Sequence, residues 1–228
     1  MRNDTVPRRS LLRLAGAGAV GAAAANMLGG CRSDSTSRPS ASAPPRTSTA
    51  PGGQRKVLLV YFSRAGWNYF NGGRKFLQTG NTEVLAGMIG KLLDCDVHRI
   101  EAAEPYSDDY GDTVARNVRE QNADARPAIA NRLASIDQYD TLLLASGIWN
   151  LRAPMIMSTF VDGYDFAGMT VHPVTTYAMS GLGTTERDYA ASCAGATVAA
   201  GLAIEGEEVD SARPAVEAWL RQNSLLPR

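Results

Sequence analysis

Residues 79–82 (TGNT) carry the side chains and backbone best suited to chemistry in this 228-residue chain. They stand immediately before a segment with helical apolar spacing. A phosphate at such a helix start is held by unpaired backbone N–H groups and by the positive end of the helix dipole. Gly80 permits close backbone approach, Asn81 and Thr82 add side-chain donors, and Thr79 adds a hydroxyl. Ser63 and Arg64, which follow the apolar run 56–62 (KVLLVYF), offer a second hydroxyl and a cation. The two halves read as one phosphate loop split by an insertion.

The spacing limits what the cradle could hold. There is no G-x-x-x-x-G-K-[ST] and no G-x-G-x-x-G in the loop, so neither a nucleoside triphosphate nor a dinucleotide fits. A monophosphate is the better match. Taken alone, Gly-Asn-Thr is an ordinary helix cap; its company gives it meaning. Residues 146–154 contain Ile148, Trp149 and Asn150, where a large aromatic in a loop can stack on a flat ring with little loss of entropy. Residues 180–184 (SGLGT) form a third, glycine-rich loop with Ser180, Gly181 and Gly183. The insertion 67–78 (WNYFNGGRKFLQ) reads either as a lid over a pocket or as a surface hairpin with a few packed aromatics.

The elements that must position these loops follow from periodicity. Residues 56–62 and 141–145 are continuous apolar runs, the pattern of strands buried on both faces. Residues 82–93 place Val84, Leu85, Met88, Ile89 and Leu92 on one helical face. Residues 96–101 alternate as a short edge strand. Residues 106–132 are polar, acidic first and basic later, and read as a solvated helix. A short helical piece at 156–161, a strand at 169–179, a helix at 185–194, a strand at 197–203 and a helix at 211–223 complete the pattern. Strands alternating with helices specify a parallel sheet wrapped on both faces, with ligands beyond the carboxyl ends of the strands.

The first 54 residues stand apart. Arg8 and Arg9 precede an apolar run rich in Ala, Gly and Leu that ends in Leu28-Gly29-Gly30-Cys31. That is the make-up of an export signal of the twin-arginine type, closing in a lipoprotein box whose Cys31 becomes the lipidated first residue. Residues 1–31 are thus expected to be a signal peptide. Residues 32–54, rich in Ser, Thr, Pro and Ala, are expected to be a flexible linker, and residues 55–228 a single folded domain. The expected location is the outer face of the cytoplasmic membrane, tethered through Cys31.

Overall formal charge is zero, but residues 55–228 hold 16 Lys and Arg against 21 Asp and Glu. That acidic balance argues against nucleic acid as a partner. With no Cys-x-x-Cys and no His-x-x-x-His, a metal is not expected either. No nucleophile paired with a base stands out, so no catalytic side chain is assigned.

YFSRAG, NYFNGG and TGNTEVLAGMI, followed by SGIWNLRAP, VDGYDFAGMTV, SGLGTT and AVEAWL, resemble the flavodoxin-like FMN-binding proteins, in the branch that carries an insertion within the phosphate loop. The resemblance runs over nearly all of residues 56–220. It implies a flavodoxin-like three-layer α/β sandwich with a five-stranded parallel sheet of order 2-1-3-4-5. It implies FMN as cofactor, with Ser63, Thr79, Gly80, Asn81 and Thr82 at the phosphate and Arg64 nearby. It further implies Ile148, Trp149 and Asn150 over one face of the isoalloxazine, and Ser180, Gly181 and Gly183 at its pyrimidine edge. The function implied is electron transfer, with a redox protein or a quinone as partner. Two alternatives stay open: a flavin-dependent reductase of a quinone or other small acceptor, and a non-redox binding module on the same fold.

Overall fold

The structure, a computed structural model, describes residues 56–227. The signal peptide, Cys31 and the whole linker expected from the sequence lie outside the described residues. In chain order the strands are β1 (Val57–Tyr61), β2 (Gly66–Phe70), β3 (Gly73–Leu77), β4 (Asp96–Arg99), β5 (Thr141–Gly147), β6 (Thr170–Tyr177), β7 (Thr197–Val198) and β8 (Leu202–Glu205). The helices are α1 (Asn81–Leu92), α2 (Tyr110–Asn122), α3 (Met155–Val161), α4 (Thr185–Ser192) and α5 (Arg213–Gln222), with a 3-10 turn at Gly206–Ser211. Among the described residues no helix is long and apolar enough to cross a membrane.

The main sheet is parallel throughout, with β4, β1, β5 and β6 side by side and both β7 and β8 along the outer side of β6. Alternation along β1 divides its side chains between two apolar layers. Leu58 and Val60 pack with Ile156, Phe160 and Tyr189 from α3 and α4. Val57 and Leu59 pack with Leu85 and Ile89 of α1 and with Val216, Trp219 and Leu220 of α5. Each such Leu or Ile, fully withdrawn from water, contributes about 1.5–3 kcal/mol, and these two layers fix where the strand ends stand.

The sheet departs from the five strands expected. It has six, because the strand read at 197–203 is broken. Counting only main-sheet strands, the order is 2-1-3-4-5 with the fifth in two pieces. The cause is Pro173. Thr197 and Ala199 donate their N–H groups to the carbonyls of Met169 and Val171. Bonding to one side recurs at every second residue of a parallel strand, so residue 173 is next in the series, and proline has no N–H to give. The register then slips by one residue, from Val171 opposite Val198 to Val174 opposite Leu202. Within the gap the Ala200 carbonyl accepts from Trp219 Nε1 at 3.1 Å and lies 3.2 Å from His172 Nδ1.

The insertion folds as an antiparallel hairpin, β2 with β3, separate from the main sheet. Asn71 and Gly72 form its two-residue turn, both at positive φ (45° and 78°), the backbone that matches the twist of paired strands. Trp67 and Phe76 face each other across it as an edge-to-face pair with centroids 5.7 Å apart, and both stay exposed. Cys95 and Cys193 are free thiols.

Candidate functional site

The loops leaving β1, β5 and β6 converge on a cavity of about 530 Å³ at the carboxyl ends of those strands. Its floor is the start of α1. Asn81 and Thr82 are the first two residues of the helix, where N–H groups have no intrahelical acceptor. No side chain of the helix's own cap residue, Gly80, is there to take them. The N–H of Glu83 is shared between the Gly80 carbonyl at 3.0 Å and Ser63 Oγ at 3.1 Å, leaving the Ser63 proton free to point elsewhere. Thr82 is buried, its hydroxyl 2.7 Å from that of Thr176 on β6, which locks the helix start to the sheet. This close approach requires Gly80: a Cβ there would lie 2.3 Å from Ser63 Oγ and 2.4 Å from the Arg64 carbonyl oxygen.

Arg64 reaches back along the cavity wall. Its guanidinium donates to the carbonyls of Ser107 (2.9 Å), Asp108 (3.3 Å) and Trp67, and to Asn68 Oδ1 at 3.4 Å. It thereby ties the base of the β2–β3 hairpin to the loop before α2. Its Nε is buried and unpartnered. Burial pulls its pKa below the usual arginine value, opposed by the nearby Asp108 and Asp109. Among the described residues no carboxylate forms a close ion pair with it, so Asp108 and Asp109 only partly offset the positive charge it places at the cavity.

The loop after β5 forms the far wall. Trp149 and Arg152 exchange backbone bonds around a two-residue turn in which Asn150 and Leu151 both take positive φ, 51° and 69°. A leucine held there is strained, and Leu151 is also exposed. Helix α2 holds this turn: Gln121 Nε2 donates to the Trp149 carbonyl at 2.8 Å, and Asn150 Nδ2 donates to Gln121 Oε1 at 2.9 Å. The Trp149 ring packs edge-on against Tyr106 (5.2 Å) and Phe62 (5.8 Å), so it is part of the core as well as of the wall.

The expected site residues divide in two. Ser63, Arg64, Asn81, Thr82, Ile148, Trp149, Asn150 and Ser180 line the cavity. Thr79, Gly80, Gly181 and Gly183 do not. Gly80 acts from behind, as the residue that lets Ser63 meet the helix. The Gly183 N–H donates to the Ser180 carbonyl at 2.8 Å, and the Gly181 carbonyl accepts from Thr175 Oγ1 at 3.0 Å, so this loop closes partly on itself.

The polar run at 106–132 suggests a solvated helix, but α2, which occupies 110–122 of it, turns one face to the cavity. Tyr110, Thr113, Val114, Asn117 and Val118 line the cavity. The signal was present as the i, i+3, i+4, i+7, i+8 spacing of one face, masked by small and polar side chains. Asn68 and Tyr69 from the hairpin and Glu207 from the 3-10 turn complete the rim. Glu207 also accepts the Asn71 N–H at 2.8 Å, closing the hairpin tip against the opposite side.

A parallel sheet between two helical layers, with an open helix start beside β1 in a cavity at the strand ends, defines an anion-binding doubly wound protein. The family model described as flavodoxin matches residues 74–223, and the chain belongs to that family. Among solved structures, a Bacteroides uniformis protein assigned as a flavoprotein is 28% identical, with a TM-score of 0.60 over 74% of this chain and 99% of that one. A Bacteroides eggerthii counterpart is 26% identical, with a TM-score of 0.59 over 74% and 98%. A Lactobacillus acidophilus flavoprotein in complex with FMN shares the fold at 18% identity, with a TM-score of 0.50 over 69% and 97%. No curated protein matches the chain.

Proposed function

We propose that the domain binds FMN and works in electron transfer at the outer face of the cytoplasmic membrane. The observation that carries this reading is the open start of α1: two N–H groups without intrahelical acceptors, the Ser63 hydroxyl and the guanidinium of Arg64, whose Nε has no partner, at one cavity. That donor set suits a phosphate monoester, and the cavity falls in the size range of cofactor pockets. Membership of the flavodoxin family and the FMN complex of the L. acidophilus relative support it.

Bound there, the flavin supplies reversible redox chemistry. The chain's own residues bind and orient. The N–H groups of Asn81 and Thr82 and the hydroxyl of Ser63 hold the phosphate, aided by the helix dipole. Ile148, Trp149, Val114 and Val118 supply apolar surface that keeps water from the flat part of the occupant. Glu207 at the rim and the acidic balance of the domain disfavour added negative charge, which holds the reduction potential down.

Location rests on the sequence. The Arg8-Arg9 leader and the box ending in Cys31 support twin-arginine export and a lipid anchor. That route carries folded proteins, which suits a cofactor made inside the cell. The partner is then a membrane or exported redox protein, or a quinone. Protein purified from its native export route should show flavin absorbance that bleaches on reduction; a colourless protein that takes up no FMN would sink the proposal.

A second reading, reductase of a small acceptor, is favoured by one observation: the hairpin contributes Asn68 and Tyr69 to the cavity. Replacing residues 67–78 by a short linker should then abolish turnover of a small quinone while flavin is retained. Unchanged turnover would leave electron carriage to a protein partner.

A further inference from the structure

Of the large apolar side chains that stay exposed among the described residues, all but Val97 sit at one end of the domain. Trp67 and Phe76 are on the β2–β3 hairpin, and Val114, Val118, Leu151 and Met179 line the cavity at the carboxyl ends of the strands. Met179 is 82% exposed and Leu151 60%. The Leu151 side chain is held out by a left-handed backbone (φ 69°), a conformation that disfavours leucine and persists only where its surroundings impose it. Exposed apolar side chains gathered on one face mark a contact surface.

Charge sets the hairpin apart from the rest of the domain. Residues 56–82 hold Lys56, Arg64, Arg74 and Lys75 and no acidic residue, in a domain where Asp and Glu prevail. Arg74 and Lys75 are exposed on β3 and form no ion pair among the described residues. Their cationic heads lie over rings instead, Arg74 over Tyr110 at 3.6 Å and Lys75 over Phe70 at 4.2 Å. The nearest acidic groups are engaged: Asp108 and Asp109 face the Arg64 charge, Asp109 also caps α2, and Glu207 takes the Asn71 N–H. Aromatic side chains with Arg and Lys beside them suit the headgroup level of a bilayer, where the ring meets acyl chains and the cation meets phosphate.

The tether expected at Cys31 decides for lipid over a soluble partner. It enters at the amino end of β1, whereas the apolar face is at the carboxyl end, so its length matters. The 24 residues from Arg32 to Arg55 span up to about 80 Å when extended, against roughly 40 Å for the width of a domain of this size. That is enough for the domain to turn its cavity toward the surface that holds Cys31. We infer that the hairpin and the apolar rim of the cavity rest on an anionic lipid surface, with Trp67 and Phe76 at the headgroup level and Arg74 and Lys75 on lipid phosphates. The inference rests on the lipid anchor proposed above. Of the two kinds of partner proposed there, a quinone dissolved in the bilayer is then the one that the cavity faces.

The test places the mature chain, with its anchor, in vesicles of phosphatidylcholine and phosphatidylglycerol whose acyl chains carry bromine near the headgroups. Tryptophan emission is compared with that in unbrominated vesicles of the same composition, since bromine quenches only at contact range. Wild type should be quenched, and Trp67→Phe should lose most of that quenching, because Trp219 is buried and Trp149 packs against Phe62 and Tyr106. Lys75→Glu, a change of two charges, should shift the ratio of docked to undocked domains at least about tenfold toward undocked. Equal wild-type emission in brominated and plain vesicles would overturn the inference and leave the face to a protein partner. So would a Trp67→Phe variant quenched as strongly as wild type. Unchanged quenching in Lys75→Glu would overturn an anionic surface as the occupant. Trp67→Tyr repeats the comparison should the phenylalanine variant not fold. Mass spectrometry of the Cys31 peptide keeps two failures apart: a chain without lipid there would overturn the proposed location, whereas a lipidated chain with unquenched Trp67 overturns the docking alone.

Discussion

Ser63 Oγ accepts the backbone N–H of Glu83 at 3.1 Å across twenty residues of sequence, so a serine at the end of the first strand caps a helix that an intervening hairpin has pushed away from it. The cap satisfies one donor of the helix start and leaves the two before it open. Cap bonds of this kind are worth about 1 kcal/mol to the fold, and the same bond leaves the Ser63 hydroxyl proton available at the cavity it lines.

Gly80→Ala should damage this arrangement directly. The added Cβ would lie 2.3 Å from Ser63 Oγ and 2.4 Å from the Arg64 carbonyl oxygen, and the backbone oxygen cannot rotate away. FMN affinity should fall by at least about tenfold, the equivalent of 1.4 kcal/mol, with a lower melting temperature. Fluorescence titration and thermal unfolding check both; unchanged FMN affinity would place the cradle elsewhere.

Thr82→Val should act on stability as well as on binding. It leaves the buried Thr176 hydroxyl without its 2.7 Å partner, at a cost of about 1–3 kcal/mol. The denaturant midpoint of the protein without flavin should fall by the corresponding amount. Thr176→Val in the same background should recover part of the loss, since two matched apolar groups replace an orphaned hydroxyl.

Trp149→Ala should unfold more than it unbinds. The ring packs edge-on against both Phe62 and Tyr106, and such pairs add about 0.5–1.5 kcal/mol each beyond their area burial. Trp149→Phe should preserve most of the stability. If Trp149→Ala melts like wild type and loses only flavin, the ring serves the cofactor alone.

The domain should weaken in alkali for a reason that can be assigned. Burial pushes the Cys193 thiol up from 9.0 to about 11, and burial likewise raises the neighbouring Tyr189 hydroxyl. The folded state therefore holds these protons more tightly than the unfolded one. The stability they support is fully present below pH 9 and is lost as pH rises toward 11. Urea midpoints measured at pH 8 and pH 10.5 should show the fall, and Cys193→Ala should show a smaller fall between the same two pH values.

Much of the architecture was legible because it is written in period and run length. The apolar runs of β1 and β5 and the stripe of α1 leave little choice of structure. The break between β7 and β8 was written too, in Pro173, but a proline matters to a sheet only once its neighbour is known, and pairing is not local. The contribution of α2 was hidden for another reason. Its cavity face is made of Tyr, Thr, Val and Asn, residues that also suit a wet surface, and only the arrival of the hairpin and the Trp149 turn against it makes them a wall.

The central claim, that the open start of α1 is a phosphate site for FMN, is tested most directly by comparing FMN with riboflavin in wild type and in Ser63→Ala. Hydrogen bonds to a charged group are worth about 1.5–3 kcal/mol, so wild type should prefer FMN by at least about tenfold, and Ser63→Ala should lose affinity for FMN while binding riboflavin as before. Equal affinity of wild type for the two flavins, or equal losses for both in the variant, would contradict it.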